Sequence, residues 1–157
     1  MRYLIATGLL VALAGCQSVN QTDSVSSAQP GAIENYSTIN QSINRFPPRY
    51  PPKAAMNTLE GCATLEYTLT LEHKVIDIQV LDSDSSLFAK EAVKVISKWD
   101  WSALSDTVLS VPVRLQTRFE YCLENSSGRC TAESLASRTN CRGADVVISA
   151  GRRVTFS

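Results

Sequence analysis

The 157-residue chain contains only one histidine, His73, and has no surplus of charge of either sign. One histidine, without a Ser/His/Asp or Cys/His set around it, cannot form a hydrolytic site. The 15 basic residues are balanced by 15 acidic residues, which argues against a nucleic-acid partner. We therefore predict a protein that is not an enzyme, needs no cofactor and does not bind nucleic acid.

The sequence also lacks an apolar run long enough to cross a membrane as a helix. The run over residues 3–14 contains 12 residues, whereas a membrane-spanning helix needs about 20. Arg2 precedes this run, and Leu13-Ala14-Gly15-Cys16, which resembles a lipobox, ends it. We predict that residues 1–15 are a lipoprotein signal peptide and that Cys16 becomes the lipid-bearing N-terminus. The alternatives are a secretory signal with a coincidental cysteine and a permanent membrane anchor.

The residue after the predicted lipidation site indicates which membrane to expect. Gln17 stands where lipoproteins retained at the inner membrane carry aspartate. Since acyl chains on Cys16 would anchor the protein durably, we expect it at the periplasmic face of the outer membrane, in the envelope of a Gram-negative bacterium. Residues 16–44 are rich in Ser, Gln, Asn and Thr and predict a flexible tether, which reaches at most about 100 Å.

The remaining cysteines predict disulfides rather than a metal site. CxxC pairs are absent, and His73 is far from the cysteine cluster in sequence, so a zinc site is disfavoured. Of the five cysteines, four remain once Cys16 carries lipid. An even number in an oxidising compartment predicts two disulfides, for which three pairings are possible. These residues are Cys62, Cys122, Cys130 and Cys141.

Residues 45–123 predict a small α+β domain. Its proline-dense start, residues 45–53, is either a rigid lead-in, which we favour, or a peptide ligand for an aromatic groove. Alternating apolar residues predict strands over residues 61–71 and 75–81, joined by a turn in which His73 is solvated. The side chains expected to face the core are Ala63, Leu65, Tyr67, Leu69, Leu71, Ile76, Ile78 and Val80.

A helix and a third strand complete this predicted domain. Serine and aspartate side chains before Leu87 predict the start of a helix of about 14 residues. The third strand covers residues 108–122, and Pro112 favours an edge position or a strand start. The helix is expected to bury Phe88, Ala92, Val95 and Trp99. The strand is expected to direct Val111, Val113, Leu115, Phe119 and Tyr121 inward and Arg114, Gln116, Arg118 and Glu120 outward.

Three of these features together resemble the C-terminal domain of the TonB family. They are the lead-in Tyr50-Pro51-Pro52-Lys53-Ala54, Gly61 at the start of the first strand, and a helix end at Trp99 followed two residues later by Trp101. The resemblance covers about residues 46–123. It implies a three-stranded antiparallel sheet packed on one helix, with the first strand in the middle and the far side of the third strand as a free edge.

The sequence departs from the family at two positions. Glu72-His73-Lys74 replaces the glycine that usually forms the first hairpin turn, so a turn of different shape is expected. Ser102-Ala103 lacks the proline that often follows the second aromatic residue. Residues 124–157 lie beyond the resemblance as a disulfide-bearing C-terminal extension. It carries weak signals for a helix over 131–138 and strands over 144–148 and 153–156.

The resemblance also implies a function and a disulfide pairing. In the family, an extended peptide of an outer-membrane receptor adds to the free edge of the third strand. Arg114, Gln116 and Arg118 would then select the partner. The implied sheet order also places Cys62 opposite Cys122, which leaves Cys130 to pair with Cys141.

The predicted lipid anchor and short tether favour one of three functional hypotheses. A transducer that carries force from the inner membrane needs a helix in that membrane and a linker that crosses the periplasm, and we expect neither here. We therefore favour a TonB-like adaptor that binds another envelope protein. The other two hypotheses are a genuine TonB-type transport component, bound to the peptide of a TonB-dependent receptor, and a hydrolase or other enzyme, which the lone histidine disfavours. The remaining alternative is a purely structural envelope protein with no peptide ligand.

The predicted lipid anchor is tested by replacing its cysteine. Cys16→Ser removes the thiol that accepts the lipid, so we expect the protein to move from the membrane fraction to the soluble extract. Fractionation of cells followed by immunodetection measures this shift. Unchanged membrane association of Cys16→Ser would contradict the predicted lipidation.

Overall fold

The structure, a computed structural model, describes residues 39–124, 130–131, 135 and 140–153. The signal peptide, Cys16 and most of the tether lie outside these residues and remain predictions. The predicted helix over 131–138 is described only at residues 131 and 135, and the predicted strand over 153–156 only at residue 153, so these two also remain predictions. Residues 39–42 are helical. The elements that follow are α1 (Pro52–Met56), β1 (Gly61–Leu69), β2 (Val75–Ser83), α2 (Ser86–Ile96), a 3₁₀ turn (Trp101–Ala103), β3 (Val113–Glu124) and β4 (Val146–Arg152). None of the helices described in full is long and apolar enough to cross a membrane.

The strands form one mixed sheet in the order β2-β1-β3-β4. β1 lies between β2 and β3 and is antiparallel to both. β4 runs parallel to β3, from the pair Arg118↔Val146 to the pair Glu124↔Arg152. The predicted α+β class and the order strand, strand, helix, strand are confirmed. The prediction of a three-stranded antiparallel sheet is wrong, because the C-terminal extension supplies a fourth, parallel strand.

Helix α2 packs on one face of the sheet and closes the main core. Ser85 caps the helix, since its side chain accepts a hydrogen bond from the Leu87 N–H. The Tyr121 hydroxyl donates to the Phe88 carbonyl oxygen at 2.9 Å, and burial raises the pKa of Tyr121 above its ordinary value. The predicted residues that are buried in this core are Ala63, Leu65, Tyr67, Leu69, Phe88, Ala92, Val95, Trp99, Leu115, Phe119 and Tyr121. Each large apolar side chain among them contributes about 1.5–3 kcal/mol by leaving water.

The predicted inward face of β2 is wrong at two positions. Ile76 and Val80 are 45% and 46% exposed, whereas Val75 and Ile78 pack against the core. The register between β1 and β2 shifts twice. Asp77, which lies at the shift opposite residues 66–68 of β1, has a φ of +53°. A β-bulge inserts a residue and breaks simple alternation. β2 is also the outermost strand on its side of the described sheet, so Val80 stays exposed even beside buried Leu65.

The turn between β1 and β2 departs from the prediction in the same region. His73 has a φ of +57°, the left-handed conformation that glycine adopts most readily, and its N–H donates to the Thr70 carbonyl oxygen. Its side chain is only 15% exposed and lies 3.7 Å from the Asp106 carboxylate, so His73 is not a fully solvated turn residue. Strand β1 ends at Leu69, which leaves Leu71 exposed in the turn. Val111, expected inward, is likewise exposed, because β3 begins only at Val113.

The predicted tether extends too far toward the domain. Ile39 and Ile43 are buried among the core side chains, so residues 39–43 belong to the packed domain. The proline-dense segment that follows is a packed lead-in along β4. The Ser149 hydroxyl donates to the Pro48 carbonyl oxygen at 2.8 Å, and the Tyr50 ring lies directly over Gly151. The lead-in therefore packs against β4, the strand that the C-terminal extension contributes to the sheet.

Two disulfides are present, as predicted, but their pairing differs. Cys62 bonds to Cys141, and Cys122 bonds to Cys130. The expected pair of Cys62 with Cys122 is wrong because the β1–β3 register places Cys62 opposite Glu120, two residues before Cys122. Cys62 therefore ties the middle of the sheet to the segment just before β4.

The contact between Tyr50 and Gly151 tests the packing of β4. A Cβ atom at Gly151 would lie 2.6 Å from the Tyr50 ring, which itself packs edge-on against Phe88 and Tyr121. We expect Gly151→Val to lower the free energy of unfolding by about 1–3 kcal/mol, since this side chain has no room. Thermal or urea unfolding followed by circular dichroism measures this change. The matched control is Ala150→Val at the neighbouring, exposed position; equal destabilisation by the two changes would contradict this account.

Candidate functional site

The candidate site is the part of the β3 edge that β4 leaves open. β4 pairs with residues 118–124 of β3. Among the described strands, none continues the sheet beside residues 113–117 on that side. The predicted free edge is therefore wrong for residues 118–124 and is retained only at the start of β3.

The backbone of this open segment points away from β1. The Arg118 N–H donates to the Asp145 carbonyl oxygen at 2.8 Å, on the β4 side of the strand. In a regular strand, the N–H and C=O groups of alternate residues point in the same direction. β3 pairs with β1 without a bulge over residues 113–121, so the N–H and C=O groups of Arg114 and Gln116 also point toward the β4 side. They have the direction that an added strand requires.

A cleft of about 320 Å³ lies beside the open segment. The Arg114 guanidinium lies 3.4 Å from the Glu66 carboxylate across the β1–β3 pair, with the two side chains 71% and 28% exposed. This ion pair is weak because water screens it. The residues that line the cleft are Glu66, Arg114, Leu115, Gln116, Ala144 and Asp145. Two of the three predicted partner-binding residues, Arg114 and Gln116, therefore lie together at this cleft.

Arg118, the third predicted partner-binding residue, is engaged within the domain. Its side chain is 17% exposed and lies 2.9 Å from the carboxylate of Glu120, which is 1% exposed. The Arg118 guanidinium also donates to the Cys141 carbonyl oxygen. The segment that the Cys62–Cys141 disulfide holds covers this face of the sheet, because Thr64 donates to the Arg142 carbonyl oxygen at 2.7 Å. The alternation predicted Glu120 as an outward residue but gave no sign of this cover.

Asp145 is the residue of the site that the sequence prediction missed. Its carboxylate accepts hydrogen bonds from the Arg45 guanidinium at 2.6 Å and from the Thr117 hydroxyl at 2.8 Å. The Thr117 hydroxyl is also 3.0 Å from the Tyr67 hydroxyl in the core. Arg45 and Asp145 are separated by 100 residues, so no local pattern indicates their pairing. They fix the amino end of β4 at the cleft and so define where the open segment ends.

One group in the described residues has the spacing of metal ligands. Ligand atoms of Cys62, Asp84 and Cys141 lie within 4.8 Å of one another. The two sulfur atoms bond to each other in the disulfide, so neither is available as a thiolate ligand. The Asp84 carboxylate accepts a hydrogen bond from the Cys62 N–H at 3.0 Å. This carboxylate holds the start of β1 beside the end of β2.

Comparison with known proteins relates the central part of the chain to one family. Residues 47–123 match the family described as Gram-negative bacterial TonB protein C-terminal. The solution structure of the Pseudomonas aeruginosa TonB C-terminal domain is 29% identical, with a TM-score of 0.38, over 49% of this chain and 80% of that one. The Helicobacter pylori TonB C-terminal domain is 21% identical, with a TM-score of 0.37, over 59% of this chain and 92% of that one. No curated protein sequence matches the chain.

The two ion pairs at the cleft differ in burial, and this difference is testable. The side chains of Arg45 and Asp145 are 16% and 9% exposed. We expect Asp145→Ala to lower the free energy of unfolding by about 3 kcal/mol, since it leaves the Arg45 charge without a partner in a mostly buried position. The control Glu66→Ala removes the exposed pair with Arg114 and is expected to cost less than about 1 kcal/mol. Denaturant unfolding of both variants checks this order, and a reversed order would contradict it.

Proposed function

Since residues 47–123 are a TonB C-terminal domain, we propose that this protein is a non-enzymatic adaptor that binds an extended segment of another envelope protein by strand addition to β3. The observation that carries the proposal is the open segment of β3. The backbone N–H and C=O groups of Arg114 point away from β1, and a partner's side chains would occupy the cleft beside them. Backbone hydrogen bonds provide affinity in this mode, and side-chain contacts provide selectivity.

The geometry limits how much of a partner can pair with this edge. β4 pairs with β3 from Arg118 onward, so only residues 113–117 of β3 remain for a partner strand. Five residues of strand extend about 16 Å. Such a strand would lie in line with β4 and meet Asp145 at one end. Arg114 would present its guanidinium to the partner on the same face as Glu66, where an acidic partner residue would compete with that carboxylate.

We propose that the domain acts close to the outer membrane, through a lipid anchor on Cys16. Because residues 39–43 pack in the core, only residues 16–38 remain as a tether. A chain of this length reaches at most about 80 Å. The shorter reach strengthens the argument for a partner near the membrane that carries the anchor.

The second candidate function is that of a TonB-type component of transport across the outer membrane. The family match over residues 47–123 favours it. In that case, the added strand would come from a TonB-dependent receptor. The two candidates use the same edge and differ in the identity of the partner.

In-cell photocrosslinking tests the proposed edge and separates the two candidates. A photoreactive amino acid at position 114 or 116 is expected to capture a partner, whereas the same residue at the exposed control position 90 on α2 is not. Mass spectrometry of the product identifies the partner. An outer-membrane receptor supports the transport candidate, and another envelope protein supports the adaptor. Absence of a specific product at both positions would contradict strand addition at this edge.

A proline variant tests whether backbone pairing is responsible for the capture. Arg114→Pro removes an N–H that points toward the partner, so capture from position 116 should fall at least about fivefold, the effect of one lost hydrogen bond. The control Arg114→Ala removes the same side chain and keeps the N–H. Equal loss in both variants would assign the contact to the guanidinium instead of the backbone.

A further inference from the structure

A second cleft lies between the proline-dense lead-in and helix α2. It has a volume of about 490 Å³, and the residues that line it include Phe46, Pro47, Arg49, Lys94 and Lys98. None of its lining residues contributes to the cleft at β3. The two clefts are therefore separate surfaces of the domain.

The lining of this second cleft combines apolar and basic groups. Phe46 is 43% exposed, and Pro47, Pro52 and Val95 add apolar surface. Arg49 comes from the lead-in, Lys94 from α2 and Lys98 from the turn just after α2, so basic side chains stand on both sides of the cleft. An exposed large aromatic side chain beside a cation is common where proteins bind other proteins.

The charge in this cleft is only partly balanced. Glu91 is the one acidic residue among those that line it, and its carboxylate pairs with the Lys94 ammonium at 2.6 Å. Within the described residues, neither Arg49 nor Lys98 forms an ion pair with a carboxylate. The cleft therefore offers two cations to a negatively charged ligand.

Contacts between the lead-in and Trp99, just after the end of α2, hold the cleft in shape. The Trp99 indole N–H donates to the Phe46 carbonyl oxygen at 2.8 Å, and the Arg45 guanidinium lies 5.5 Å from the centre of the Trp99 ring. The prolines of the lead-in restrict its backbone further. A preformed cleft binds a ligand without the entropic cost of first ordering its own walls.

We infer that this cleft binds an acidic segment of a partner protein, with an apolar side chain against Phe46 and Pro47 and carboxylates at Arg49 and Lys98. The concave shape suits a peptide segment, into which a side chain projects, better than the flat surface of a bilayer. The unbalanced cations select acidic over basic segments. This surface would contact a partner in addition to the strand that pairs with β3, and it does not depend on that pairing.

Fluorescence anisotropy tests the proposed ligand class. The full chain carrying Cys16→Ser, which removes any acyl group, is titrated against a labelled peptide of sequence Glu-Glu-Phe-Leu-Glu-Glu and against the same peptide with lysine in place of glutamate. We expect binding of the acidic peptide only. Lys98→Glu should weaken that binding about tenfold, because it replaces an attraction by a repulsion. The matched control Lys90→Glu, on α2 but outside the cleft, should change it less than about twofold.

Three outcomes would overturn the proposal. Equal weakening by Lys98→Glu and Lys90→Glu would show that the helix attracts acidic peptides without using the cleft. No binding up to about 1 mM peptide would show that the cleft does not take an acidic segment. The third is binding to phosphatidylglycerol vesicles without binding to the peptide, when Lys98→Glu abolishes vesicle binding and Lys90→Glu does not. That result would identify a membrane surface as the ligand.

Discussion

The carboxylate of Asp145 joins three parts of the chain that are remote in sequence. Arg45 brings the start of the lead-in, Thr117 brings β3, and Asp145 itself begins the approach to β4. A charge in a mostly buried position has to be paired, so the carboxylate fixes where all three segments lie. The backbone of the same residue accepts the Arg118 N–H and thereby sets the register of the parallel strand. The lead-in then continues along β4 through Pro48 and Tyr50.

The position of β4 determines how much of the β3 edge is covered. An exposed strand edge invites pairing with any other chain, so natural proteins cover or interrupt such edges. Here, β4 covers the second half of β3, and a bulge at Asp77 interrupts β2. Among the described strands, none pairs with the first five residues of β3 on the side that β4 covers further along. In the proposed strand addition, an edge this short would restrict partners by length as well as by side chain.

The sequence predicted those helices and strands that depend on patterns of neighbouring residues. The helix follows from the spacing of Phe88, Ala92 and Val95, and β1 follows from its alternation, since each pattern repeats with the period of the structure. The bulge in β2 was not predictable, because Ile76 and Val80 keep perfect alternation in the sequence. The family resemblance pointed to Arg114 and Gln116, and both line the candidate cleft, but their role in binding a partner stays a prediction.

Long-range pairing accounts for most of the other errors. Arg118 and Glu120 read as solvent-facing, but a segment more than 20 residues further along the chain covers them. The disulfide pairing failed for a similar reason: a two-residue offset in register separates Cys62 from Cys122, and the true partner belongs to an extension that no family pattern described. Spacing along the chain carries no information about either contact.

The Cys62–Cys141 disulfide has a mechanical consequence. It joins two cysteines that are 79 positions apart in sequence, and the covalent loop contains all of β2, α2 and β3. When a load acts between residues before Cys62 and residues after Cys141, the tension passes through the disulfide, and the residues between the two cysteines are not drawn out. The disulfide thus limits how far the domain can extend under a load applied at its two ends.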